Sequence, residues 1–166
     1  MMLQHAIDYY HSLLDTDMAR ASWEQLSRGM RERNLFFGDR PLATVLRPRL
    51  ITAAQYHFVE QACHLVGEAM KTLAAEMLVN PALRADLMLT PGEEALIGMH
   101  PGYEEPCAHS RMDTFLTVDG QSLQFVEYNG ESPAAIAYED RLSEAFGEIE
   151  VMRQFAERYR ISALPA

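Results

Sequence analysis

Four polar residues of the types that bind magnesium and phosphate stand close together in the second half of the chain. Arg111 and Asp113 occupy positions i and i+2 of one β-type run, and Glu127 and Asn129 do the same in the next run. Two carboxylates and an amide oxygen suit Mg²⁺, which keeps some waters and takes further oxygens from phosphate. An adjacent arginine would neutralise charge on a transferred phosphoryl group. The alternative is a surface hairpin whose arginine and glutamate merely pair across the strands.

A β-hairpin has to position these four side chains. The runs 111–118 and 121–128 are separated by Asp119-Gly120, which is a strong hairpin signal. Side chains alternate between the two faces of a strand, so the register of the pair decides whether the polar residues meet. A two-residue Asp119-Gly120 turn would place the polar pairs of the two strands on opposite faces.

A three-residue loop, 118–120, with Gly120 in a left-handed conformation, gives a different register. All four polar side chains would then share one face of the hairpin. The residue pairs would be Thr117 with Gln121, Arg111 with Glu127, and Asp113 with Phe125. We predict this bulged register.

Helices are predicted on both sides of the hairpin. Apolar residues at helical spacing indicate a helix over residues 3–14, and Ser22 with Gln25 has the form of a capping box that opens a second helix towards Arg33. Residues 34–50 read as an extended connector because they contain one glycine and two prolines. This connector also carries three arginines, whose role the sequence does not reveal: Arg40, Arg47 and Arg49.

The clearest predicted helix runs from Thr52 to Val79 and ends at Asn80-Pro81. Its apolar residues form one stripe: Phe58, Ala62, Leu65, Ala69, Leu73 and Met77. Shorter helices are predicted over residues 81–87 and after Thr90, and two more over residues 134–160. The predicted fold class is therefore α+β, predominantly helical, with a small antiparallel hairpin or sheet. We expect a single domain over residues 1–166, mainly helical up to residue 109, with the hairpin segment at 110–133.

Composition and charge narrow the possible partners. The chain has 166 residues, with 24 acidic and 14 basic side chains and a net charge of −10. Nucleic acid is excluded as the main partner because phosphate binding needs clustered cations. Residues 86–150 alone carry a net charge of −12, and Lys71 is the only lysine. No segment has the features of a membrane span or a signal peptide. With two cysteines at unremarkable spacing, the expected location is the cytoplasm.

The hairpin resembles a known enzyme signature. Ser110-Arg111-Met112-Asp113, followed by Val126-Glu127-Tyr128-Asn129-Gly130-Glu131-Ser132-Pro133, is similar to the R-x-D … E-Y-N-x-[DE]-[ST]-P pattern of glutathionylspermidine synthetase-like enzymes. These are circularly permuted members of the ATP-grasp superfamily. The resemblance covers about 25 residues closely and implies the N-terminal portion of an ATP-grasp-like fold.

The resemblance also implies roles for individual residues. It assigns Asp113, Glu127 and Asn129 to the Mg²⁺ ions that bridge the ATP phosphates. It assigns Arg111 to the transition state that forms an acyl phosphate, and Arg111 with Glu131 to binding ATP. Such enzymes phosphorylate a carboxylate with ATP and let an amine displace the phosphate, so the implied substrates are a small carboxylic acid and an amine.

The chain also departs from the family pattern. The lysine-bearing elements that hold the nucleotide follow the signature in this family, whereas only 33 residues without lysine follow Pro133 here. We therefore expect the Mg²⁺-binding, substrate-side part of an ATP-dependent carboxylate–amine ligase. This chain, taken as a fragment, would be inactive without the remaining ATP-grasp region in cis or in trans. The alternative is a non-catalytic helical module for binding or assembly that retains the fold.

Other candidate residues are weaker. His57, Glu60 and His64 lie on one side of the long predicted helix and could bind a transition metal, but one helix supplies too few ligands, so a polar surface is favoured. Cys107 could be a nucleophile, although no histidine partner is evident. His109 precedes the signature and reads as an ordinary loop histidine.

Overall fold

Helices make up most of the chain, together with two small antiparallel sheets, so the α+β prediction is confirmed. The computed structural model describes residues 2–100, 102–103, 107, 109–130, 133 and 136–164. The chain forms two units. The first unit combines Met1–Thr52 with Ala134–Ala166, and the second unit is Ala53–Pro133.

The elements follow the predicted order along the chain. The first unit contains α1 (Met2–Ser12), α2 (Thr16–Glu32), the short strands β1 (Phe36–Phe37) and β2 (Arg40–Pro41), α6 (Ile136–Gly147) and α7 (Glu150–Arg158). The second unit contains α3 (Ala53–Val79), α4 (Pro81–Arg84), one 3-10 turn (Ala85–Leu87), α5 (Pro91–Ile97), β3 (Arg111–Leu116) and β4 (Leu123–Asn129). The expected extended connector is present, and it includes the β1–β2 pair that the sequence did not indicate.

The buried hydrophobic side chains of the described residues all lie in the first unit. The largest of them are Tyr10, Leu26, Met30, Leu35, Ile149, Val151 and Phe155. The ring of Tyr10 meets that of Phe155 edge to face, with centroids 5.4 Å apart. The Tyr10 hydroxyl donates to the carbonyl of Leu46 at 2.7 Å, which satisfies the one polar atom of this buried side chain. Burial raises the pKa of Tyr10 to about 12.

The predicted capping box at Ser22 and Gln25 is wrong. Helix α2 begins at Thr16, because the carboxylate of Asp15 accepts a hydrogen bond from the backbone nitrogen of Met18 at 2.8 Å. An aspartate can cap a helix as well as a serine can, and this earlier cap adds two turns to the helix. Ser22 and Gln25 therefore lie inside α2.

Ser22 and Gln25 do cap a helix, but it is α7. The Ser22 hydroxyl oxygen accepts from the backbone nitrogen of Val151 at 3.2 Å, and the Gln25 side-chain oxygen accepts from that of Glu150 at 2.7 Å. Ile149, at the N-cap position of α7, has no side-chain oxygen to offer. The first amide groups of α7 would otherwise lack partners, so a neighbouring helix supplies both acceptors.

Arg33 links the end of α2 to the C-terminal helices. Its guanidinium pairs with Glu144 at 3.4 Å and with Glu148 at 2.5 Å. Glu144 also pairs with Arg141 at 3.1 Å. The hydrogen bonds from Arg141 and Arg33 hold the pKa of Glu144 below its ordinary value of 4.5. The two ion pairs of Arg33 join parts of the first unit that are more than 100 residues apart in sequence.

The helices of the second unit begin and end where the sequence predicts. Helix α3 stops at Val79, and the side chain of Asn80 then caps α4 by accepting from the nitrogen of Leu83 at 3.2 Å. Helix α5 opens with a capping box in which Thr90 and Glu93 bond each other's backbone nitrogens. None of the helices in the described ranges is long and apolar enough to cross a membrane.

The apolar stripe of α3 is present but largely uncovered. Leu65 is 70% exposed, Phe58 40% and Leu73 39%. Gln55 is the one buried residue of α3. A stripe of this kind normally faces a core, so its exposure is a property of the second unit that needs an explanation.

Candidate functional site

The candidate site lies on the hairpin formed by β3 and β4. Its turn is closed by hydrogen bonds from Thr117 nitrogen to Ser122 oxygen at 3.0 Å and from Gly120 nitrogen to Thr117 oxygen at 2.9 Å. Gly120 has a φ of +71°, a left-handed conformation that glycine adopts without a steric penalty. The Asp119 carboxylate accepts from the Thr117 hydroxyl and the Gln121 nitrogen, which lowers the pKa of Asp119.

The predicted register is wrong, although a bulge is present. Arg111 lies opposite Asn129 and Asp113 lies opposite Glu127, each partner two residues further along β4 than we expected. The turn encloses four residues instead of three, and the irregularity falls between Asp113 and Thr114 inside the ladder. There Val126 has no partner on β3, so the pairing of β4 with β3 shifts by one residue.

This shift brings the four polar residues together on one face. Residues that lie directly opposite each other share a face, and so do residues two apart on one strand. The pairs Arg111–Asn129 and Asp113–Glu127 therefore lie side by side. Without the bulge, the register found near the turn would have placed the residues of the two strands on opposite faces.

An ion pair dominates the electrostatics of this face. The Arg111 guanidinium lies 2.7 Å from one oxygen of Asp113 and 3.4 Å from the other. The Asp113 carboxylate, with a smaller contribution from Glu127, raises the pKa of Arg111, so the arginine stays cationic. Both side chains of the pair are 40% exposed and open to solvent. The pair is therefore accessible to a ligand.

The oxygen donors fit magnesium better than a softer metal. Asp113 and Glu127 offer carboxylates on opposite strands, at positions where directly opposed Cβ atoms lie about 5 Å apart. The contact of Asn129 with the Arg111 carbonyl, at 3.5 Å, uses the amide nitrogen and not its oxygen. In the described part of the chain, no three His, Cys, Asp or Glu side chains gather closely enough to hold a metal ion. Two carboxylates and an amide are oxygen donors of the kind that Mg²⁺ accepts beside waters and phosphate oxygens.

Two residues of the signature lie outside the described residues. They are Glu131, which the resemblance assigns to ATP binding, and Ser132.

The other candidate residues have ordinary surroundings. His57 pairs with Glu60 on the surface of α3 at 2.9 Å. The Cys107 sulfur lies 2.8 Å from the carbonyl oxygens of His109 and Gly130. A nucleophilic cysteine needs a base or a cation beside it, whereas these two contacts are with carbonyl oxygens. Of the connector arginines, Arg47 donates to His11 at 3.1 Å.

The structure also shows a cleft that sequence reasoning missed. It has a volume of about 340 Å³ and lies between α3 and the start of β3. Its lining consists of Cys63, His64, Gly67, Glu68, Ser110 and Met112. Burial raises the pKa of Cys63, so its thiol is not an activated nucleophile. The spacing of Cys63 and Gly67 could have indicated that they line one surface, because residues four apart share a helix face.

No protein-family model matches the chain, and neither a curated protein nor a solved structure does. The resemblance to the ligase signature therefore rests on the hairpin residues alone.

Proposed function

We propose that the chain is the Mg²⁺-binding, substrate-side part of an ATP-dependent carboxylate–amine ligase. One observation supports this function above the others. The bulge in the hairpin sets Asp113 opposite Glu127 and Arg111 opposite Asn129, so that one solvent-open face carries two carboxylates, an amide and a guanidinium. This combination of anionic oxygens and one cation suits a metal-bound phosphate.

Asp113, Glu127 and Asn129 would hold Mg²⁺ in this proposal. When bound, the ion offsets the negative charge of the phosphate oxygens. Glu127 supplies the second carboxylate of this face and contributes less than Asp113 does to the raised pKa of Arg111. The side-chain nitrogen of Asn129 donates to the Arg111 carbonyl oxygen, so this hydrogen bond does not use the side-chain oxygen that would bind the ion.

Arg111 would stabilise the phosphoryl group as it transfers to a carboxylate. Asp113 keeps the guanidinium in place through Nε and Nη2, so its orientation is set before a substrate arrives. A cation that needs no reorganisation during the reaction stabilises developing charge most effectively. Glu131 completes the proposed ATP contacts, in line with the resemblance.

The proposal requires a second part of the enzyme. Lysines that hold ATP phosphates are absent from residues 112–166, and Lys71 is exposed on α3. We therefore expect the remaining ATP-grasp region to act in cis or in trans. The described chain would bind Mg²⁺–ATP weakly and would not turn over by itself.

We further propose a cytoplasmic location. Cys63 and Cys107 are both free thiols. Free cysteines persist in a reducing compartment, whereas disulfides predominate in secreted proteins.

Calorimetric titration with Mg²⁺–ATP tests the ligase proposal. The Asp113→Ala variant should weaken binding at least about tenfold, equivalent to ~1.4 kcal/mol, because it removes one charged oxygen ligand. Asp86→Ala is the matched control, since Asp86 is an exposed aspartate in the 3-10 turn of the same unit. Absence of binding to the longest natural form of the wild-type protein would overturn the proposal, and so would equal effects of the two variants.

The exposed stripe on α3 favours a second candidate function. A non-catalytic module for binding or assembly would need an apolar surface and no nucleotide. Leu65 and its neighbours provide such a surface. Partner binding that survives Asp113→Ala, combined with no heat from Mg²⁺–ATP, would identify this second function.

A further inference from the structure

Five residues of α3 form an apolar row on the side of the helix away from the hairpin. The row consists of Phe58, Ala62, Leu65, Ala69 and Leu73. Successive residues of a helix are 100° apart around its axis, so the centre of the row lies roughly 140° around α3 from the side that carries Cys63 and Gly67. Those two residues face the hairpin, because a Cβ atom placed on Gly67 would lie 3.7 Å from the methyl group of Met112. The row is thus not the surface on which the hairpin packs.

The row has the dimensions and spacing of a helix-binding surface. Its residues follow at i, i+4, i+7, i+11 and i+15, and at 1.5 Å per residue it is roughly 22 Å long. A second amphipathic helix covers such a row with apolar residues at the same spacing. Leu65, at 70% exposure, sits at the centre.

Charge around the row selects the kind of partner. The second unit, residues 53–133, carries twelve acidic and three basic side chains, a net charge of −9. Two of its cations are already paired, Arg84 with Glu94 and Arg111 with Asp113. Glu76 lies in line with the row and Glu68 flanks it, whereas Lys71 lies roughly 160° away around the helix. The surroundings of the row are therefore negative.

We propose that this row docks a basic amphipathic helix of another polypeptide segment. A second copy of the chain would bring its second unit, also of net charge −9, against this one, which opposes association. An anionic membrane surface would be repelled for the same reason. Lysine or arginine residues that flank an apolar face would pair with Glu68 and Glu76 while leucines cover the row. This inference does not depend on the metal site.

Three synthetic peptides of about 16 residues, the length that spans the row, serve as probes. The first has leucines at helical spacing and lysines elsewhere, the second replaces the lysines with glutamates, and the third has the composition of the first in scrambled order. We expect the wild-type chain to bind the first peptide at least tenfold more tightly than either of the others. Equal binding of the first and third peptides would overturn the proposal, because it would show charge attraction without a docking surface.

Variants of the chain locate the binding surface. Leu65→Gln combined with Leu73→Gln should weaken binding of the first peptide at least tenfold, and Leu96→Gln, an equivalent change at an exposed leucine of α5, should not. Glu68→Gln with Glu76→Gln should weaken it severalfold, with Glu24→Gln as the matched exposed control in α2. All these positions are exposed or half-exposed, so circular dichroism should show an unchanged fold. Unchanged binding by the double leucine variant overturns the proposal.

Sedimentation of the chain alone tests whether a second copy of the chain occupies the row. We expect a monomer. A dimer that dissociates in the double leucine variant would assign the row to a second copy and would overturn the proposal.

Discussion

Replacing Ser22 with alanine should destabilise the first unit by about 2 kcal/mol. The Ser22 hydroxyl oxygen is the acceptor for the backbone nitrogen of Val151, and both residues are completely buried. Alanine would leave a buried N–H group without a partner, which costs about 1–3 kcal/mol. Water cannot reach the N–H group without a shift of α7. A loss of ~2 kcal/mol corresponds to about a 30-fold larger fraction of unfolded chains.

Trp23 makes this effect measurable in one unit. It is the only tryptophan of the chain and lies in α2 beside Ser22. Its fluorescence during urea unfolding therefore reports on the first unit, even if the two units unfold separately. The urea midpoint should fall, while the slope of the free energy with urea should stay unchanged.

Ser12→Ala is the control for the Ser22 prediction. Ser12 is an exposed serine at the end of α1 whose hydroxyl donates to the Tyr9 carbonyl. Its loss should cost less than about 0.5 kcal/mol. If the two variants have equal midpoints, the cap supplied by α2 contributes nothing, and the reasoning is refuted.

Other changes test the turn and the titrating groups. Gly120→Ala should destabilise the hairpin by about 1–2 kcal/mol, because φ is +71° and the new Cβ would lie 2.7 Å from the Gln55 side chain. Faster amide hydrogen exchange in β3 and β4 would measure this loss of stability. Gly92→Ala is the control, because the space around Gly92 is open. Glu144 has a lowered pKa, so its stabilisation of the first unit is complete above pH 4.5 and is lost as pH falls through its folded value. Glu144→Gln should flatten this acid limb of the urea midpoint. Tyr10 has a raised pKa of about 12, so its contribution to the stability of the first unit is complete below pH 10 and is lost as pH rises towards 12. Ultraviolet titration should show one late tyrosinate that Tyr10→Phe removes.

The sequence predicted best where a local signal was decisive. Asn80-Pro81 ends one helix and opens the next, and Thr90 with Glu93 can satisfy each other's backbone nitrogens without any distant partner. The boundaries of α3 to α5 followed from these residues.

A long-range contact explains one of the two errors, and local hydrogen bonds in the turn explain the other. Ser22 and Gln25 have the pattern of a capping box, but their acceptors serve α7, which lies 125 to 129 residues further along the chain. The hairpin turn is longer than predicted because Thr117 and Asp119 form hydrogen bonds within it. The bulge at Val126 contains no glycine or proline from which the sequence could have predicted it. The sequence therefore indicated which residues form the candidate site, but not their register.

The first unit is discontinuous, and this has a consequence for biosynthesis. Its N-terminal helices leave the ribosome more than 100 residues before residues 145–155, which supply half of the buried hydrophobic side chains. At ~5–20 residues per second, α1 and α2 wait on the order of ten seconds with Leu26 and Met30 uncovered. During that interval the nascent chain is a substrate for chaperones, and translational pauses after residue 52 would prolong its exposure.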